Sequence, residues 1–167
     1  ALLTATVLWG SAFASQNMAM DYMNPFAFQA IRCLIAVIGM LPVIAIFDRS
    51  NHLSGFWKKW ADPALWKAGI LCGIPLFLAC NLQQIALVDT DAGKAGFLTA
   101  MYILFVPIIG IFRKQKPAWN IPISVLIAVA GLYFLSCTDN LRISLSDTLL
   151  LGCAVMFAVQ ITFIDIY

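Results

Sequence analysis

The sequence holds no glutamate and only one histidine, and charged residues make up just 11% of its 167 positions. These shortages exclude whole classes of chemistry. Paired glutamates for acid–base work cannot be assembled, and no serine lies in a GxSxG turn or shares an apolar block with a histidine that would activate it. The one histidine, His52, sits in the polar stretch "DRSNHLSGFWKKWADP". No enzyme is expected. The scarcity of charge also excludes a soluble fold: ordinary domains carry about 25% charged and about 45–50% apolar residues, whereas 62% of this chain is hydrophobic.

What is there comes in blocks long enough to cross a hydrocarbon core, for which about 20 helical residues suffice. Six run approximately Leu2–Met20, Pro25–Phe47, Leu65–Val88, Gly93–Phe112, Ile121–Cys137 and Thr148–Tyr167. They are continuously apolar, so they read as helices rather than as the alternating strands of a barrel. The expected fold is an all-α integral membrane bundle of six transmembrane helices. Ala12-Phe13-Ala14 looks like a signal-peptidase site, but no charged segment precedes block one, which is read as a retained span. The absence of an initial Met, and of a basic loop after block six, is read as a chain cut at both ends.

Charge is sorted between the connections. Arg49, Lys58, Lys59, Lys67, Arg113, Lys114 and Lys116 fall between blocks two and three or four and five or at their edges, whereas the other connections and their edges hold Asp21, Asp89, Asp91, Asp139 and Asp147 with Lys94 and Arg142. The positive-inside rule then makes the first group cytoplasmic and places the N-terminus inside. Trp57, Trp60, Trp66 and Trp119 stand beside the basic loops, as an aromatic belt does. The stretch from Asp48 to Ala64 reads as an interfacial cytoplasmic segment. Cys33, Cys72, Cys80, Cys137 and Cys153 show no metal-pair spacing and are read as packing residues. No cofactor and no metal is expected.

Several residues do not belong in lipid. Arg32 lies about 10 Å into block two at about 1.5 Å per residue, where an unpaired Arg costs about 2.5–3.5 kcal/mol. Two readings stand: it snorkels or bonds backbone carbonyls, or it lines a cavity and attracts an anionic group. Ser11, Ser15 and Gln16, Asn81, Gln83 and Gln84, Thr99 and Tyr102, and Gln160 are either interhelical glue or the lining of a substrate path. Phe77, Asn81, Gln84 and Val88 share a helical face expected to point at protein or water. Gly69 and Gly73 form a GxxxG, read as an intramolecular crossing, and Pro42, Pro75 and Pro107 are candidate kinks. Asp165 is either a proton-coupling group or an interfacial residue at the end of block six.

Five short-looped spans followed by a sixth from the opposite side match the start of an inverted repeat. The stretches "LLTATVLWGSAF", "NPFAFQAIRCLIA", "CNLQQIALVDTDAGKAGFLTAMYILFVPIIG" and "GLYFLS" resemble the EamA family of the drug/metabolite transporter superfamily, and "DTLLLGCAVMFAVQITFID" is similar to the opening of that family's second repeat. The resemblance implies ten helices in two inverted five-helix repeats working by alternating access in the cell membrane. Residues 1–137 would be the first repeat and 138–167 the start of the second. Trp9, Gly10, Arg32, Ala95, Gly96, Thr99 and Pro107 match family positions, with Gly10, Gly96 and Pro107 read as architectural. The acidic residue many members carry after helix four is replaced by "FRKQKP".

The expected function is secondary transport, outward, of small polar metabolites such as amino acids or related compounds; the alternative is a non-transporting scaffold or assembly subunit. Candidate cavity residues are Trp9, Ser11, Gln16, Arg32, Asn81, Gln84, Thr99, Tyr102 and Gln160. Expected partners are the lipid bilayer and a small-molecule substrate, with protons and a second copy of the chain left open, and no nucleic acid.

Overall fold

The computed structural model describes residues 2–50, 60–114, 121–136 and 144–167. His52, Trp57, Lys58, Lys59, Lys116, Trp119, Cys137, Asp139 and Arg142 lie outside the described residues. The elements are α1 (Leu2–Ala19), α2 (Pro25–Ser50), α3 (Pro63–Ala86), α4 (Ala92–Ala100), α5 (Tyr102–Phe112), α6 (Ile121–Ser136) and α7 (Leu145–Ile166), with no strand among the described residues. Met101 keeps a nearly helical backbone (φ −59°, ψ −14°), so α4 and α5 continue as one span. Each expected block is therefore a helix. Among the described residues, four spans are long and apolar enough to cross a membrane: α2, α3, α4–α5 and α7. α6 has 16 residues, about 24 Å at 1.5 Å each, and α1 brings Ser15, Gln16 and Asn17 into its last turns.

Local chemistry sets the helix starts. Asp62 caps α3 by accepting from the Ala64 N–H, with Pro63 in the first turn where its missing donor costs nothing. At α7, Ser144 accepts from the Asp147 N–H and the Asp147 carboxylate accepts from the Ser144 N–H, a reciprocal capping box. Pro42, Pro75 and Pro107 are accommodated inside helices.

The two ends of the bundle differ in charge. At one, Arg113 pairs with Asp165 at 3.3 Å and Lys67 lies 5.9 Å over the Tyr167 ring. At the other, Lys94 meets Asp147, and the Asn17 side chain donates to the Leu87 and Thr90 carbonyls at 3.2 and 3.1 Å. The sorting of charge visible in the loops is thus a sorting in space. α1 and α3 both finish at the acidic end, and α7 starts there and runs the other way.

The largest interface joins α3 to α7. α3 buries Pro75, Ala79, Gln83 and Ala86, close to a four-residue repeat, and α7 answers with Leu150, Cys153, Ala154 and Ala158, each with no exposed surface. Small residues on both sides let the backbones approach, which in lipid replaces the hydrophobic drive that water supplies. α2 is the least buried of the spans and turns Ile35, Ile38 and Ile46 outward. Exposed apolar side chains are what a helix presents to hydrocarbon.

Two packing expectations need correction. The expected face of α3 is displaced: Phe77 and Val88 are 62% and 52% exposed, whereas Gln83 is buried beside Gln84. The Gly69/Gly73 pair makes no crossing among the described residues, since a Cβ at either glycine would meet nothing within 4 Å.

Candidate functional site

A cavity of about 400 Å³ opens between α1 and α4–α5, walled by Trp9, Phe13, Thr99 and Tyr102. Gly10 and Gly96 complete it. A Cβ at Gly10 would meet nothing within 4 Å, and one at Gly96 only the Phe13 ring at 4.0 Å. These two glycines are therefore not forced by close packing; their smallness keeps the space open. Trp9 and Tyr102 stack loosely, with centroids 6.3 Å apart and planes 28° from parallel, and Phe157 of α7 stands 6.1 Å from Tyr102.

Behind the cavity, Thr99 is 1% exposed and its hydroxyl oxygen accepts from Gln83 Nε2 at 3.1 Å. The same amide reaches Cys153 Sγ at 3.9 Å. α3, α4 and α7 are thereby tied at one depth by a buried polar cluster that holds one wall of the cavity. Each bond satisfies a group that hydrocarbon would leave unpaired.

Arg32 turns from α2 toward α1, and its Nη1 donates to Gln16 Oε1 at 2.8 Å. Gln16 is 4% exposed and anchors itself by donating to the Ala12 carbonyl at 3.1 Å. The partner is a side-chain amide rather than the lipid headgroups or backbone carbonyls of the first expected reading. No carboxylate pairs with Arg32 among the described residues. On α1, Trp9, Phe13 and Gln16 follow i, i+4, i+7, so the Arg32 contact and the cavity share one helix face.

Other candidates lie apart from this group. Ser11 and Ser15 donate back to the Leu8 and Ser11 carbonyls of their own helix, and Asn81 does the same to Phe77. Gln84 is 1% exposed; its amide donates to Met20 Sδ at 3.0 Å, and its Oε1 has no partner. Gln160 lies one turn beyond Phe157 on α7, on that residue's side of the helix. Asp165 is exposed at the basic end in its pair with Arg113.

Four residues carried only weak signals in the sequence. Gln29 is 6% exposed, donates to Cys33 Sγ at 3.4 Å and leaves Oε1 unpaired; it stands three residues before Arg32, and that spacing was its clue. Asn17 looks like the polar end of a span yet clamps the α3–α4 turn. Lys94 and Asp147 read as opposite loop charges, but Lys94 Nζ lies 2.9 and 3.0 Å from the two carboxylate oxygens.

A helical bundle with an apolar exterior and polar side chains tied between its spans defines a multi-pass membrane protein. The chain belongs to the EamA-like transporter family, whose sequence profile matches residues 1–137. It is 34% identical to an uncharacterized transporter of Archaeoglobus fulgidus, covering 99% of this chain and 48% of that one. It is 29% identical to the uncharacterized transporter YrdR of Bacillus subtilis, over 88% of this chain and 46% of that one. The chain thus spans about half the length of these relatives. No solved structure matches it significantly.

Proposed function

We propose that this chain is the leading part of a secondary active transporter that exports small polar metabolites, such as amino acids or related compounds, by alternating access. The observation that carries the reading is the cavity between α1 and α4–α5, which shares its α1 face with the Arg32–Gln16 contact. In this reading Trp9, Thr99 and Tyr102 line the path and the Arg32–Gln16 contact supplies polar groups on the same α1 face, with Gln84 and Gln160 farther from the cavity. Arg32 attracts the solute's anionic group with the guanidinium donors that Gln16 leaves free.

The antiparallel run of α7 against α1 and α3 supports residues 1–137 as one repeat and 138–167 as the opening of an inverted second. The basic end faces the cytoplasm of a plasma-membrane protein, with the N-terminus inside. Alternating access then has a physical handle, because α4–α5 and α7 are joined by Lys94–Asp147 at one end and by Arg113–Asp165 at the other. Rocking one span on the other opens one pair at a time. Proton coupling falls to Asp165, the acid within the last turn of α7.

Transport by the full-length protein in sealed vesicles tests the reading. Arg32→Ala is expected to fold and to lose uptake of anionic and zwitterionic solutes at least tenfold. Loss of folding without a selective transport defect would assign Arg32 to structure alone.

A further inference from the structure

We propose that the cavity between α1 and α4–α5 receives a flat ring of the transported solute, an aromatic or heteroaromatic group lying against Trp9 and Tyr102. The proposal rests on the transporter reading and narrows its substrate class.

Trp9 is the first reason. Tryptophan is favoured at the two membrane interfaces, yet this one stands seven residues into α1, about 10 Å along the helix, and remains 49% exposed. The indole is thus only partly covered by the bundle, at a depth that an interfacial belt does not explain.

The second is the pair of rings. At 6.3 Å and 28°, Trp9 and Tyr102 are nearly parallel and loosely set, near the outer limit of about 4.5–7 Å at which aromatic rings attract. Two such walls offer π-faces to a third planar group. The Trp9 N–H and the Tyr102 O–H have no hydrogen-bond partner among the described residues, and the polar tips of these side chains ordinarily find one once they are covered. A ring nitrogen, carbonyl or hydroxyl on the guest would supply it.

The third is space. Gly10 and Gly96 keep open a volume of about 400 Å³, within the range of about 300–1,000 Å³ typical of small-molecule sites. None of the lining side chains is charged, so the part of the solute held there is uncharged, and its charged part lies elsewhere along the path.

The test uses the full-length protein in proteoliposomes and pairs of solutes differing only in ring saturation. Three pairs cover the charge types: L-phenylalanine with β-cyclohexyl-L-alanine, 3-phenylpropionate with 3-cyclohexylpropionate, and benzylamine with cyclohexylmethylamine. For at least one pair, exchange of the aromatic member should exceed that of the saturated one about tenfold. Trp9→Leu should bring that ratio near one while Trp9→Phe retains it, with thermal unfolding in detergent confirming that both variants fold. Equal exchange within every pair, an unchanged ratio in Trp9→Leu, or transport confined to ringless solutes would overturn the proposal and leave the transporter reading standing. Exchange of no solute at all, including a whole metabolite extract, would overturn both.

Discussion

Arg32 on α2 and Gln16 on α1 meet at 2.8 Å, a guanidinium N–H donating to an amide oxygen that is itself held by its own helix. This contact answers the main physical problem of the sequence, a cation about two turns inside a span. Interhelical hydrogen bonds in membranes average about 0.6 kcal/mol and reach about 1.7, and a charged donor belongs at the upper end. Gln16→Leu is expected to lower stability by about 1–2 kcal/mol. Adding Arg32→Met should recover part of that loss, because the unpaired charge goes with it. A double-mutant cycle of thermal unfolding checks this, and strictly additive effects would contradict it.

The two ion pairs joining α4–α5 to α7 should differ in strength. Asp147 is 8% exposed and also serves the α7 capping box, whereas Arg113 and Asp165 are 34% and 63% exposed. Asp147→Ala removes the carboxylate half of the capping box and the ion pair together and should cost about 2–3 kcal/mol. Arg113→Ala should cost less than about 1 kcal/mol. Comparable destabilisation of the two variants would refute this ordering.

Glycine substitutions should separate packing from space. A Cβ at Gly131 would lie 3.1 Å from the edge of the Phe97 ring, so Gly131→Ala must push that ring aside and is expected to destabilise by about 1 kcal/mol. Gly10→Ala meets nothing within 4 Å and gains helix propensity worth up to about 1 kcal/mol. Its unfolding temperature should hold or rise.

Asn17→Ala takes the donor from two carbonyls at the α3–α4 turn. The expected cost is about 1–2 kcal/mol, together with faster hydrogen exchange at residues 88–91. Unchanged exchange there would show that the clamp does not hold the turn.

Much of this was legible before any coordinates. The apolar blocks located every helix because a span needs length and hydropathy, both local properties. The sorting of Lys and Arg against Asp along the loops anticipated the two ends of the bundle, since connected helices return to the same side. Trp9, Thr99 and Tyr102 were candidates, and they do share a cavity. The faces were harder. On α3 the expected face of Phe77, Asn81, Gln84 and Val88 holds at the buried Gln84 but not at the exposed Phe77 and Val88, because apolar residues surround the helix on all sides and periodicity does not distinguish lipid from protein. The partners of Arg32 and Asn17 were hidden for another reason: they lie on other helices, and no spacing rule spans that gap. Gly10 and Gly96 read as architectural because a small residue signals close approach and empty space alike.

The central claim is that solute passes through the space kept open by Gly10. The most direct measurement is solute exchange by the full-length protein in proteoliposomes, wild type against Gly10→Leu, with thermal unfolding recorded for both. The account predicts exchange by the wild type and at least a tenfold loss in Gly10→Leu at an unchanged unfolding temperature. Undiminished exchange in a folded Gly10→Leu protein would contradict it.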